Sequence, residues 1–175
     1  MCINHPAPRS STSAVGDVYY SLLQFDLSGA PAVAAVATLR LYDTGSQGGN
    51  PVSTYLDQVT SSWDEATTWA ARPSYSPLGQ LAAPVVGSYY DIDITDLYNQ
   101  WQSGVAPNFG VQLRPTGNNN LWDVFGSSEN TTAEWRPELI VGSAVPLPAA
   151  LPLFASGLAG LGWLSRRKKR VGNSL

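Results

Sequence analysis

The sequence predicts an all-β chain: a jelly-roll-like antiparallel β-sandwich with one short helix, plus a C-terminal single transmembrane helix. Three observations carry this. Short stretches of alternating apolar and polar residues recur through residues 21–141, separated by Gly-, Pro- and Asn-rich turns. One stretch in that region has helical character. No charged residue occurs in 139–165, and a block of five bases follows at once.

The elements follow in order. Residues 1–15 read as an unstructured leader, rich in Pro, Ser and Thr. They lack the basic start and apolar run of a signal peptide, so the leader is expected to be truncated. Residues 16–142 read as the sandwich. Leu23, Phe25 and Leu27 alternate with Gln24 and Asp26, which is the period of a half-buried strand. Leu39 and Leu41 alternate with Arg40 and Tyr42, and Val52, Thr54 and Leu56 with Ser53, Tyr55 and Asp57. Ile92 and Ile94 alternate with Asp91 and Asp93; Phe109, Val111 and Leu113 follow, then residues 122–125 and 139–141. Turns are expected at 45–51, 73–79, 104–108 and 117–120. A helix is expected over 96–102, capped by Thr95 and ended by Gly104.

Residues 143–175 read as a membrane segment. Residues 145–164, VPLPAALPLFASGLAGLGWL, contain three prolines early, so the helix is expected to start near Ala149. About sixteen residues then span the bilayer, with Trp163 at the interface and Arg166 snorkelling. Ala155, Gly157, Ala159, Gly160 and Gly162 suit close helix contact. Arg166, Arg167, Lys168, Lys169 and Arg170 stop the segment and keep the C-terminus cytoplasmic, with the body outside. A buried C-terminal helix of a soluble domain is the plainer alternative; the five bases weigh against it.

The charges are as segregated as the hydropathy. All thirteen carboxylates lie in 17–138, and the five arginines outside the basic block (Arg9, Arg40, Arg72, Arg114 and Arg136) leave residues 1–165 at −8 within a formal total of −3. Both lysines sit in the basic block. A lysine-free, acidic body makes a nucleic-acid partner unexpected, because phosphate contacts need cations spread over a face. The lone Cys2 makes no intramolecular disulfide and no Cys-rich zinc site. The lone His5 lies in the leader, far from any expected nucleophile.

Six Trp and eight Tyr offer rings for sugar stacking. Trp63, Tyr75, Tyr89, Tyr90 and Trp122 are the candidate stacking residues, since they fall at loops or strand ends. Trp69, Trp101 and Trp135 are expected to pack the core. Asp91, Asp93 and Asp96 are spaced to hold calcium; the plainer reading is a solvated strand face and a helix first turn. No other cofactor is expected. Asp64 and Glu65 are adjacent and diverge, so they are no obvious glycosidase pair. Arg40, Arg72, Arg114 and Arg136 are expected to pair with acids. No catalytic residue stands out.

Two resemblances bear on function. Val145, Pro146, Leu147 and Pro148, the small-residue apolar run and the Arg/Lys cluster together resemble the PEP-CTERM sorting signal of Gram-negative bacteria, with Leu147 where the name-giving Glu usually stands. This implies an exosortase-type membrane protease as partner, with the protein in the inner membrane before processing and then at the cell surface or in the extracellular matrix. The body resembles the DNRLRE (disaggregatase-related) domain over about 120 residues. The matching pieces are Ser21 to Leu27 (SLLQFDL), Ala37 to Tyr42 (ATLRLY), Val59 to Glu65 (VTSSWDE), Thr68-Trp69, Arg72-Pro73, Asp91 to Thr95 (DIDIT), Trp101, Ala106 to Gly110 (APNFG), Ser127-Ser128-Glu129 and Arg136 to Leu139 (RPEL). Gln24 stands where that family usually has Arg. Such domains are exported adhesive or polysaccharide-associated modules, some of which bind alginate; the −8 body argues against alginate. The expectation is a non-enzymatic surface or exopolysaccharide-matrix module, structural or carbohydrate-binding. The competing readings are a polysaccharide-degrading hydrolase or lyase, and an uncleaved membrane-anchored periplasmic domain.

Overall fold

The computed structural model describes residues 2–5, 19–46, 51–116 and 123–143. The chain divides into two units, 1–143 and 144–175. The sorting motif at 145–148, the expected transmembrane helix, the basic block at 166–170 and Trp122 lie outside the described residues. Among the described residues, no helix is long and apolar enough to cross a membrane.

The described residues of the first unit form nine strands and one helix: β1 (Cys2–His5), β2 (Tyr20–Leu23), β3 (Ala34–Ser46), β4 (Thr54–Val59), β5 (Tyr75–Leu81), β6 (Tyr89–Asp93), α1 (Thr95–Gln102), β7 (Val111–Pro115), β8 (Asp123–Phe125) and β9 (Glu138–Ser143). Short 3₁₀ turns occur at Trp69–Ala71 and Ala133–Trp135. All strand pairs are antiparallel. One sheet has the order β1-β2-β7-β4-β5. The other is built on the long β3, which carries β6 along one edge, while β9 and β8 pair with its first and second halves. The architecture is β-sandwich-like with one short helix, as the alternating pattern predicts.

The period-2 pattern explains the core. Leu39 and Leu41 of β3 and Ile92 of β6 face Leu23, Leu56, Val111 and Leu113 of the other sheet in one buried cluster, with Phe125 of β8. Leu39, Leu41 and Val111 are 0–1% exposed. α1 closes the cluster with Leu97, Tyr98 and Trp101. Asn99 of α1 stands in for a strand partner: its Oδ1 accepts the Ala34 N–H (2.9 Å) and its Nδ2 donates to the Ala34 carbonyl (3.1 Å). The Tyr98 hydroxyl donates to the Pro31 carbonyl.

Several expectations are corrected. Residues 73–79, read as a turn, belong largely to β5. Pro77 is tolerated there because β5 is an edge strand with a register shift beside it, and such positions spare the missing N–H. The leader is not wholly irregular, since Cys2–His5 pairs with Tyr20–Leu23. The strand expected through Leu27 ends at Leu23. Gly110 lets the backbone pass close to that end: at φ +83, a Cβ there would lie 2.0 Å from the Leu23 carbonyl oxygen. Thr95 does not cap α1; its hydroxyl donates to Asp93 Oδ1 (2.6 Å) and accepts from the Ala37 N–H (2.9 Å). Asp93 Oδ1 instead takes the Thr95 N–H (2.9 Å). Gly104 ends the helix as expected, at φ +74.

Candidate functional site

The outer face of the five-stranded sheet gathers aromatic and planar polar side chains. The register sets Tyr55 opposite Arg114 and Asp57 opposite Gln112. These alternate with the inward Leu56 and Leu113, so the same periodicity that builds the core aims them outward. Arg114 donates from Nε to Asp57 Oδ2 at 2.6 Å and from Nη2 to Oδ1 at 3.4 Å. Its guanidinium lies 4.1 Å from the Tyr55 ring centroid and 5.4 Å from that of Tyr75. Asp57 is fully buried, while the Arg114 side chain keeps 20% exposure. Gln112 donates to Asp57 Oδ2 at 3.2 Å. Burial pulls the Arg114 pKa down, but the hydrogen bond and charge of Asp57 outweigh it and hold the guanidinium above its ordinary value.

The segment between β4 and β5 lies over this face. Its 3₁₀ turn brings Trp69 to 4.9 Å from Tyr20, ring to ring. Arg72 sits 4.7 Å from the Trp69 centroid, and its Nη1 donates to the Trp69 carbonyl at 3.2 Å. Burial raises the Tyr20 pKa; the charges of Tyr75 and Asp57 add to this, and Arg114 and Arg72 oppose it. The Tyr20 phenol therefore stays a neutral donor at ordinary pH. The rings of Tyr20, Tyr55, Trp69 and Tyr75 and the guanidiniums of Arg72 and Arg114 form one patch. Each arginine is orientated by a ring and a fixed acceptor, so little motion is left to lose when a ligand binds. Among the described residues, Asp57 is the carboxylate paired with an arginine of this patch.

The other sheet's outer face carries a second aromatic group. Tyr42 stacks on Trp135 (4.9 Å, 2° between planes) and meets Tyr89 edge-on (5.2 Å). Arg40 binds Asp91 in bidentate fashion (both 2.7 Å) and lies 5.3 Å from the Tyr89 ring. The hydroxyls of Tyr42 and Tyr89 are taken by the Gly87 and Glu134 carbonyls. This group packs mainly on itself.

The structure redistributes the sequence candidates. Tyr75 lies in the first patch, and Tyr89, 51% exposed, on the opposite face. Tyr90 points inward, packing against the core beside Phe125 and donating to the Ala82 carbonyl at 2.6 Å. Trp63 is half-buried and pinned through Nε1 to the Phe109 carbonyl at 2.7 Å. Trp101 is core, as expected. Trp69 and Trp135 are not: each sits in a 3₁₀ turn over an outer sheet face. Asp91 and Asp93 share an exposed face, but Arg40 occupies Asp91 and Thr95 occupies Asp93. Those hydrogen bonds hold both carboxyls below their ordinary range. Among the described residues, no three His, Cys, Asp or Glu converge on a metal position. Asp64 caps its own turn, accepting from Ala66 and Thr67. Of the arginines, Arg40 and Arg114 pair with acids, while Arg72 and Arg136 donate to carbonyls.

Reading the sequence for exposed loop aromatics missed Tyr20, Tyr55, Trp69 and the two arginines. A signal for part of them was present: Tyr55 and Asp57 on β4, and Gln112 and Arg114 on β7, are the polar halves of strand alternations.

A family model for carbohydrate-binding module family 96 matches residues 9–143. The chain belongs to that family. The match covers both strands that carry Arg114 and Asp57 and the whole Trp69 turn. No curated protein matches the chain. For a carbohydrate-binding module, the arrangement has a direct chemical use. A pyranose presents C–H bonds on one face, which suit the negative face of an aromatic ring. Its hydroxyls, spaced along the edge, suit planar multi-donor groups such as guanidinium.

Proposed function

We propose that the face formed by Tyr20, Tyr55, Trp69, Tyr75, Arg72 and Arg114 binds a neutral or weakly charged polysaccharide, and that the module does so without catalysis. The observation that carries this is Arg114, locked by buried Asp57 between the rings of Tyr55 and Tyr75. It presents a fixed donor fork beside partly exposed aromatic surface, in a chain of a carbohydrate-binding family.

The wider setting we propose is a cell-surface or exopolysaccharide-matrix protein of a Gram-negative bacterium. Its DNRLRE-like body is delivered by the segment at 143–175 through an exosortase-type protease. The Pro motif, the apolar run and the five bases support this. Mass spectrometry of the mature C-terminus tests it: a cell-surface product that still contains Arg166 to Arg170 refutes processing.

Binding is tested on a polysaccharide panel with the full chain and three variants. Trp69→Ala and Tyr75→Ala are expected to weaken binding about tenfold or more, the loss of roughly 1.4 kcal/mol. Tyr89→Ala, on the opposite sheet, is expected to leave it unchanged. The reverse pattern moves the site to the other face. No binding to any polysaccharide leaves a structural role. Release of reducing ends that Glu65→Gln or Asp64→Asn abolishes refutes the non-enzymatic reading.

A further inference from the structure

At the end of the sandwich where β3 meets β8, the backbone register does something unusual. Asp43 lies opposite Phe125, Gly45 opposite Val124 and Ser46 opposite Asp123, with a shift between Asp43 and Gly45. Thr44 is thus the extra residue of a β-bulge. In a regular strand, residues 43 and 46 point to opposite faces; the bulge sends both inward, to the face that Phe125 and Asp123 share. Thr54, buried on β4 of the facing sheet, hydrogen bonds Asp123 through its side chain. The Val52 N–H reaches the Asp123 oxygens at 3.1 and 3.4 Å.

Two carboxylates and two hydroxyls therefore share this inward face, and the polar valences of Asp43 and Ser46 are not filled. Asp43 is 0% exposed. Its Oδ1 accepts from the Gly45 N–H at 2.9 Å, but its Oδ2 has no partner, and neither does the buried Ser46 Oγ. Buried polar atoms are almost always partnered, so each such orphan asks for a reason. Among the described residues, the ion pairs are Arg40–Asp91 and Arg114–Asp57, so no cation answers Asp43 or Asp123. Burial pushes both carboxyls up, against the Gly45 and Val52 hydrogen bonds, and the charge of Asp43 adds to the rise at Asp123, which reaches about 6.

We propose that Asp43, Asp123, Ser46 and Thr54 form a binding site for a divalent cation of the calcium type. Hard oxygen donors without nitrogen or sulfur select this class over zinc or copper. Calcium accepts six to eight oxygens in irregular geometry, which fits a mixed carboxylate and hydroxyl set completed by backbone or water. Such an ion neutralises the repelling pair and gives Asp43 Oδ2 and Ser46 Oγ their missing partner. It also fastens the three-residue β8 to β3 at the bulge. The site differs from the Asp91, Asp93 and Asp96 group suggested by spacing, where Arg40 and Thr95 already occupy Asp91 and Asp93.

The test is thermal unfolding of the full chain after chelation, with calcium chloride added back, alongside calorimetric titration with calcium. The expected result is saturable binding and a rise in Tm of about 5–10 °C at calcium 100-fold above Kd. Ser46→Ala keeps both carboxylates and is expected to weaken calcium affinity severalfold. Asp123→Asn is expected to abolish the calcium response while raising the Tm of the chelated protein, because it removes the repulsion. A purely structural pair does not give that combination. No calcium response in the unaltered chain overturns the proposal and leaves the pair to hold a proton. A response that survives Asp43→Asn with Asp123→Asn also overturns it, by placing calcium elsewhere.

Discussion

Replacing Asp57 by alanine is the most direct probe of how the aromatic patch is held. Asp57 is buried and accepts three hydrogen bonds: from Arg114 Nε at 2.6 Å, from Arg114 Nη2 at 3.4 Å and from Gln112 Nε2 at 3.2 Å. A net hydrogen bond to a charged group contributes about 1.5–3 kcal/mol. Removing one member of a buried ion pair costs about 3–5 kcal/mol, because the other charge is stranded. Arg114 retains 20% side-chain exposure and its contact with the Tyr55 ring, so water reaches it and the lower end applies. The expected loss is about 3 kcal/mol, or roughly 10 °C in Tm for a domain of this size. Circular dichroism melts of the purified chain measure it. Adding Arg114→Met to Asp57→Ala removes the stranded cation and is expected to restore about half of the loss. A fall of under 3 °C for Asp57→Ala refutes the reasoning, as does a double variant no more stable than the single one.

Three further outcomes are expected. Gly110→Ala drives a Cβ into the Leu23 carbonyl oxygen at a positive φ and is expected to destabilise by about 2–4 kcal/mol, read by urea unfolding. Arg40→Ala breaks an exposed pair with Asp91 and is expected to leave the urea midpoint nearly unchanged; a clear fall in the same assay shows that the Tyr89 contact matters more than its exposure suggests. In chelator, stability is expected to fall as pH rises from about 4 to about 6. The folded Asp123 carboxyl titrates near 6, above its unfolded value, so the folded state holds the extra proton in that window and forfeits the advantage above it. The neighbouring charge is Asp43 of β3. Asp123 is only partly buried, so solvent screening keeps the effect small, and Asp123→Asn is expected to flatten the profile.

The β-rich fold was legible because its core depends on a period of two. Leu39, Leu41, Ile92, Val111 and Leu113 read as one face in the sequence and pack as one face in the sandwich. β5 was not legible: Pro77 and Gly79 read as a turn, and nothing local says that this segment is an edge strand, where proline is tolerated. The aromatic patch was half legible. Tyr75 was visible as a ring near a turn, but Trp69 looked like core because a bulky ring beside alanines usually is. Only the fold of the whole 60–74 segment back over the sheet puts it against Tyr20. The pairing of Asp43 with Asp123 was the least legible. It joins residues eighty apart and depends on one bulged residue, Thr44, which no propensity marks.

Pro77 has a consequence for how these molecules meet one another. Where copies are crowded together, an open sheet edge invites a neighbour's strand to add on. β5 ends its sheet, and along it Pro77 supplies no N–H, while the extra residue at Leu78 bends the ladder. Strand addition at this side therefore has no continuous row of donors to read. Crowded copies therefore cannot extend their sheets through β5.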